Sequence, residues 1–259
     1  NPRTKAIVAL HYGGVACNME VINGIAEKHG LFVVEDNAQG IHAFYKNQAL
    51  GTLGTLGALS FHETKNIHCG EGGALYVNHP DLIDRAEVLW DMGTNRKAFK
   101  EGKVSSYGWV DKGSSFYPSE LNAAFLDTQL KSVQEVTGKR FDTWNRYFLI
   151  LKDWQEAGNV RLPSIPSYAK HNGHIFFLET NTEEDRKGLI NHLSKAGVSA
   201  PFHFQSLHKS AFFAPMYNGE ELVNADKFSQ SLIRLPLYHT ISEAEVEVII
   251  DEVTKFFTR

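Results

Sequence analysis

The sequence predicts an α/β fold, a mainly parallel sheet in a large domain followed by a smaller α+β domain, on three observations. Residues 6–36 read as strand, helix, strand, because AIVAL and LFVVED are apolar runs and the stretch between them, NMEVINGIAEKH, has helical spacing closed by Gly30. Two strands joined by a helix need a crossover, and crossovers build parallel sheets. Further strands, LGALSF (56–61) and GALYVN (73–78), flank one polar loop. Beyond about residue 156 the pattern changes to short strands alternating with helices.

The first strand runs through KAIVALH and stops at Gly13 and Gly14; the helix and second strand follow, the latter ending in acid and amide. After the two strands around the polar loop, Pro80 opens a helix to about Trp90. Residues 93–117 are polar and dotted with glycine, a long excursion of the kind that carries function in compact domains, and are expected to form an active-site loop. From Pro118 to about Glu156 the spacing is helical, with a break expected at Thr137-Gly138. The large domain with its interdomain helix is therefore assigned to residues 1–138. The small domain, 139–259, contains strands at VRLP and HIFFLET, a helix in TEEDRKGLINHLSKAG, and a strand around VSAPFH. Its final helix starts at Ser242, where SEAE resembles a capping box.

The composition excludes several classes. Of 259 residues 42% are hydrophobic and 22% charged, as in ordinary globular domains. The 26 basic and 30 acidic side chains are spread along the chain, so no basic face points to nucleic acid or an anionic membrane. No apolar run approaches the roughly 18 residues of a membrane helix, and NPRTKAIVAL lacks a signal-peptide layout. Cys17 and Cys69 offer no disulfide framework, which fits a reducing compartment, so a cytoplasmic location is expected. His11, His62, His68, Cys69, His203 and His208 match no paired metal-ligand spacing, and no metal is expected.

Two residues suggest chemistry. Asp36 closes the strand LFVVE at the end where open α/β sheets hold ligands, although a turn acid would look the same. Lys65 lies in the loop after a neighbouring strand, SFHETKNIHCGEGG, among Ser60, Thr64 and Asn66. A solvated loop lysine is the competing reading; an amine that forms an imine must shed its proton, from an ordinary pKa of about 10.4. The combination favours chemistry. Pyridoxal phosphate needs an amine, a carboxylate for its ring nitrogen, and hydroxyls or amides for its phosphate, and Lys65, Asp36 and Ser60 supply one of each.

VVEDNAQG followed by SFHETKNIHCGEGGALYVN resembles the sugar aminotransferases of the DegT/DnrJ/StrS family, within the fold type I pyridoxal phosphate enzymes. HYGGVACNME, GTNR, DKGSS and RLPLY are similar to members that aminate TDP-4-keto-6-deoxyglucose. The resemblance implies that Lys65 forms the imine with the cofactor, that Asp36 partners the pyridinium nitrogen, that Gln39 approaches the phenolic oxygen, and that Ser60 binds the phosphate. Glu71, Gly72 and Gly73 match the loop that follows the lysine. Ser115 stands where many members carry an asparagine given to the phosphate by the neighbouring subunit. The activity implied is transfer of an amino group, from glutamate, to a nucleotide-linked (TDP) 4-keto-6-deoxy sugar, by a homodimer. Members also carry an N-terminal section ahead of the position of Asn1, with part of the phosphate site and a stacking ring, so this chain alone is expected to hold the cofactor weakly and to have little or no activity. Two alternatives stand beside this: a related sugar dehydratase, against which Lys65 argues because those relatives carry histidine there, and a non-catalytic remnant that keeps dimer and sugar surfaces.

Overall fold

The computed structural model describes residues 1–258. The chain divides into two compact units, Asn1–Val136 with Ser167–Asn172, and Thr137–Pro166 with the residues from Gly173 onward.

In the first unit, β1 (Ala6–Leu10), α1 (Met19–His29) and β2 (Phe32–Asp36) form the βαβ element. Asn18 caps α1 by accepting the Val21 amide, and Gly30, with φ of 60°, ends it in the left-handed conformation that glycine adopts without steric cost. After a small hairpin of β3 (Phe44–Tyr45) and β4 (Gln48–Ala49), β5 (Leu56–Ser60) lies parallel to β2, and β6 (Gly73–Val77) lies antiparallel to β5. The sheet order is β1-β2-β5-β6. Three helices follow, α2 (Ile83–Trp90), the short α3 (Arg96–Lys100) and α4 (Glu120–Lys131).

Strand alternation assigns the two faces of this sheet different tasks. Ile7, Ala9 and Val33 pack with Ala16, Met19 and Ala26 against α1. The opposite face carries Val8, Leu10 and Phe32, all exposed, and in the same register Asp36, Ala58 and Ser60. A separate cluster of Phe61, Ile67, Cys69 and Val136 anchors the loop between β5 and β6.

The chain then runs through α5 (Val133–Glu156) and β7 (Val160–Arg161), and returns to the first unit with β8 (Ala169–Lys170), which pairs with β3. In the second unit β9 (Phe176–Thr180) is central, with β7 and β10 (Leu232–Leu235) antiparallel on either side. It is accompanied by α6 (Glu183–Lys195), α7 (Val223–Ser231) and α8 (Glu243–Phe257). Its core joins Trp144, Tyr147 and Leu151 of α5, Phe176 and Leu178, Leu189 and Leu193, and Val246, Ile249, Ile250 and Val253 of α8. The Ser242–Glu245 capping box is present with both of its reciprocal bonds.

Three expectations about elements differ from the structure. The helical break falls at Ser132, and α5 continues through Thr137-Gly138. A helical glycine costs about 1 kcal/mol relative to alanine, less than burial of Val136 and Trp144 in the same helix returns. VSAPFH forms only a single bridge, Phe202 to Ile233, since Pro201 has no N–H for a ladder. The stretch 93–117 holds α3 and a bridge from Thr94 to Trp109. Among the described residues no helix is long and apolar enough to cross a membrane.

Candidate active site

The C-terminal ends of β1, β2 and β5 converge on one edge of the first unit's sheet. Asp36 ends β2, paired with Leu10 on one side and Ala58 on the other, and Ser60 ends β5 two residues beyond that partner. Because side chains alternate, Asp36 and Ser60 share the face that α1 does not cover. Asp36 is half-buried. Its Oδ1 accepts the Ala38 amide at 3.1 Å, the bond of an Asx turn, while Oδ2 remains to bind something else. Ser60 Oγ accepts the His62 amide at 3.3 Å, which leaves its hydroxyl hydrogen to donate.

Lys65, also half-buried, follows a turn in which its amide bonds His62 O at 2.9 Å. The loop around it is held on both sides. Phe61 N bonds Gly72 O at 2.8 Å, Cys69 N bonds Phe61 O at 2.9 Å, Glu63 N bonds Gly70 O at 2.8 Å, and Ile67 is fully buried. The close approach depends on glycine: a Cβ on Gly72 would lie 2.7 Å from Cys69 Sγ, and one on Gly73 2.9 Å from Leu59 O.

Gln39 Oε1 accepts the Gly13 amide at 2.6 Å, fixing the side-chain amide so that its Nε2 hydrogens face elsewhere. Ser115 is exposed in the polar stretch and pairs through its backbone with Asp91; the bonds that join the β1, β2 and β5 loops do not include it.

Sequence reasoning missed the polar core beneath this edge. Glu35, adjacent to Asp36 but on the opposite face, is fully buried, and its carboxylate accepts four donors: His11 Nε2 at 2.9 Å and the amides of Gly51 at 2.8 Å, Leu53 at 2.7 Å and Gly54 at 2.6 Å. Burial pushes the Glu35 pKa up, but the His11 bond and the three amides outweigh it and hold the carboxyl below its ordinary value. Burial likewise lowers the His11 pKa, and contacts with Cys17 and Glu35 outweigh it in the upward direction. The Cys17 amide aimed at Nδ1 favours the neutral Nε2–H tautomer, and either form donates from Nε2 to Glu35. The signal in the sequence was the glycine spacing of GTLGTLG: Gly57 lets the 51–54 turn cross β5, since a Cβ there would sit 2.1 Å from Gly51 O.

The α/β architecture with its mixed, mostly parallel sheet is the fold of the type I pyridoxal phosphate aminotransferases, as in the solved neighbours. Residues 1–254 match the DegT/DnrJ/EryC1/StrS aminotransferase family, and the chain belongs to that family. It is 29% identical to the spore coat polysaccharide biosynthesis protein SpsC of Bacillus subtilis over 261 aligned residues, covering 97% of this chain and 66% of that protein. The fold of DesV of S. venezuelae, solved in complex with a ketimine intermediate, superposes with a TM-score of 0.88 at 28% identity, covering 100% of this chain and 67% of that one. The Spr1654 protein of Streptococcus pneumoniae in its PLP-form gives 0.84 at 22% identity over 98% of this chain and 68% of that one, a likeness of fold alone. The chain thus spans about two thirds of the length of the relatives it matches.

Proposed function

We propose that this chain carries the lysine and acid of a pyridoxal phosphate-dependent sugar aminotransferase, with a nucleotide-linked (TDP) 4-keto-6-deoxy sugar as amine acceptor and glutamate as donor. The observation that carries the reading is the placement of Asp36, Ser60 and the pinned Lys65 loop at one edge of the parallel strands, where an α/β sheet holds ligands.

These residues fit the cofactor chemically. Asp36 has a carboxylate oxygen beyond its turn bond with which to keep a ring-nitrogen proton in place. Gln39, held by Gly13, can donate from Nε2 to a phenolic oxygen. Ser60 can donate its hydroxyl hydrogen to a phosphate oxygen. Lys65 would hold the cofactor through Nζ and, when displaced by the donor's amine, take and return the proton at the donor's α carbon. The cofactor supplies the electron sink that makes that proton removable. The anchored Ile67 and Phe61 on either side of Lys65 limit how far the loop backbone that carries it can stray, which serves proximity. We place Ser115 at a second phosphate contact across a homodimer; a monomer by sedimentation at micromolar concentration contradicts that part.

The test of the substrate is direct. Prolonged incubation with saturating pyridoxal phosphate, glutamate and TDP-4-keto-6-deoxyglucose, followed by mass spectrometry of the sugar nucleotide, is expected to give the amino sugar, at the low yield of a weakly held cofactor, with an equal amount of 2-oxoglutarate. A protein that converts glutamate to 2-oxoglutarate in a half-reaction yet aminates no keto sugar overturns the acceptor assignment.

A further inference from the structure

We propose that Asn172 is a positioning residue that ties the Gln39 loop to the Lys65 loop and thereby sets where the lysine amine stands. The proposal rests on the reading of Lys65 as the cofactor lysine. Asn172 comes from more than a hundred positions away in sequence, next to β8, and is fully buried in the first unit. Its Nδ2 donates to Gln39 O at 2.9 Å and to Ile41 O at 2.7 Å, using both hydrogens on the loop after β2. Its own backbone oxygen accepts Asn66 Nδ2 at 3.1 Å, and Asn66 is the buried neighbour of Lys65. On the far side of Gln39, the side-chain Oε1 holds Gly13 of the loop after β1. One residue therefore joins the strand-end loops that bear the amide and the amine, and through Gln39 reaches the third.

The close fit points to the same conclusion. A Cβ on Gly14 would lie 2.0 Å from Asn172 Oδ1, so the asparagine sits against bare backbone. That Oδ1 has no conventional hydrogen-bond partner among the described residues. A buried acceptor left unpaired is unfavourable, and a side chain present only to fill space would be better apolar. The donors, not the volume, are what this position supplies. Asn37 repeats the device nearby: Nδ2 donates to Leu50 O at 2.7 Å while Oδ1 faces Gly40, where a Cβ would lie 1.9 Å away.

The test compares Asn172→Asp, which keeps the shape but turns a donor into an acceptor facing Gln39 O and Ile41 O, with Gly14→Ala, which pushes on Asn172 from the opposite side. Val33→Ala, which thins the core under α1 without touching either loop, serves as the control for general destabilisation. Hydrogen exchange without cofactor is expected to speed up by about tenfold or more in residues 37–42 and 62–68 of both site variants, as loss of a buried hydrogen bond allows. The amides of α1 and β1 keep their wild-type rates. With pyridoxal phosphate added, half-maximal absorbance of the lysine adduct is expected at a concentration about tenfold higher in both site variants and unchanged in Val33→Ala. Exchange that rises evenly across the unit, as in Val33→Ala, or a half-saturation that does not move, overturns the positioning role. If even the wild-type protein forms no lysine adduct, the functional reading falls, and the local exchange pattern still decides whether Asn172 ties the loops.

Discussion

Both units bury polar side chains, but they differ in the size of their apolar clusters and in what the polar groups at the candidate site hold. The second unit is held by a large apolar cluster in which Trp144, Tyr147, Phe176, Leu189 and Ile250 interlock across helices and strands. The first has two smaller apolar clusters, and its site edge rests instead on buried polar side chains, His11, Glu35, Asn37, Asn66 and Asn172, bonded mostly to backbone. Apolar burial is strong but non-directional, and suits a body that has only to hold its shape. Hydrogen bonds to backbone fix loop positions in direction as well as distance, which a site needs for its reacting groups. The price is sensitivity: such a network depends on protonation and on every donor being present.

That contrast can be broken by substitution. The largest effect is expected from Phe176→Ala, which should lower stability by about 3–5 kcal/mol. The loss should be the same at all pH values where the wild type folds, and Asp36 and Lys65 keep their roles in residual folded protein. Next is Glu35→Gln, at about 1–3 kcal/mol at neutral pH, because an amide cannot accept from all four of the buried donors. Here the pH dependence separates the two units. The folded-state pKa of Glu35 lies below its ordinary value of 4.5, so the carboxylate's contribution is present above that value and is lost as pH falls through the folded pKa. Urea midpoints of wild type and Glu35→Gln should converge on acidification; a constant gap would show that the carboxylate's charge is not what holds the 51–54 turn. Ser242→Ala removes the cap of α8 and should cost about 1 kcal/mol without moving any cofactor readout. Smallest in stability is Asp36→Asn, within about 0.5 kcal/mol, because the amide oxygen can still accept from Ala38. Amine transfer should nevertheless fall by about 10²-fold or more. Wild-type turnover in this variant would reduce Asp36 to a turn acid.

Much of the frame was legible in the sequence, for identifiable reasons. The βαβ element announced itself through long apolar runs and glycine stops, and α8 through Ser242 and Glu245, which are local signals. The elements missed include β3, β4 and β8, which are two residues long and exist because they pair with one another, and also α7 and β10 of the second unit. Ser132, with no glycine or proline to mark it, ends α4, while the conspicuous Gly138 lies inside a helix stabilised by packing. At the candidate site, the placement of Asp36, Ser60 and Lys65 was readable because they end strands or sit in the loop after one. Glu35 was hidden by its neighbour, since the same short motif sends one carboxylate to each face of the sheet. Asn172 was invisible because its partners, Gln39 and Asn66, are brought to it only by the tertiary fold.

The central claim is that Lys65 carries the cofactor, and reductive trapping tests it most directly. The protein is incubated with pyridoxal phosphate, reduced with borohydride, digested, and mapped by mass spectrometry. The account predicts one phosphopyridoxyl group, on the peptide that contains Lys65, and none in Lys65→Ala. Labelling of a different lysine in the wild-type protein, or undiminished labelling of Lys65→Ala, would contradict it.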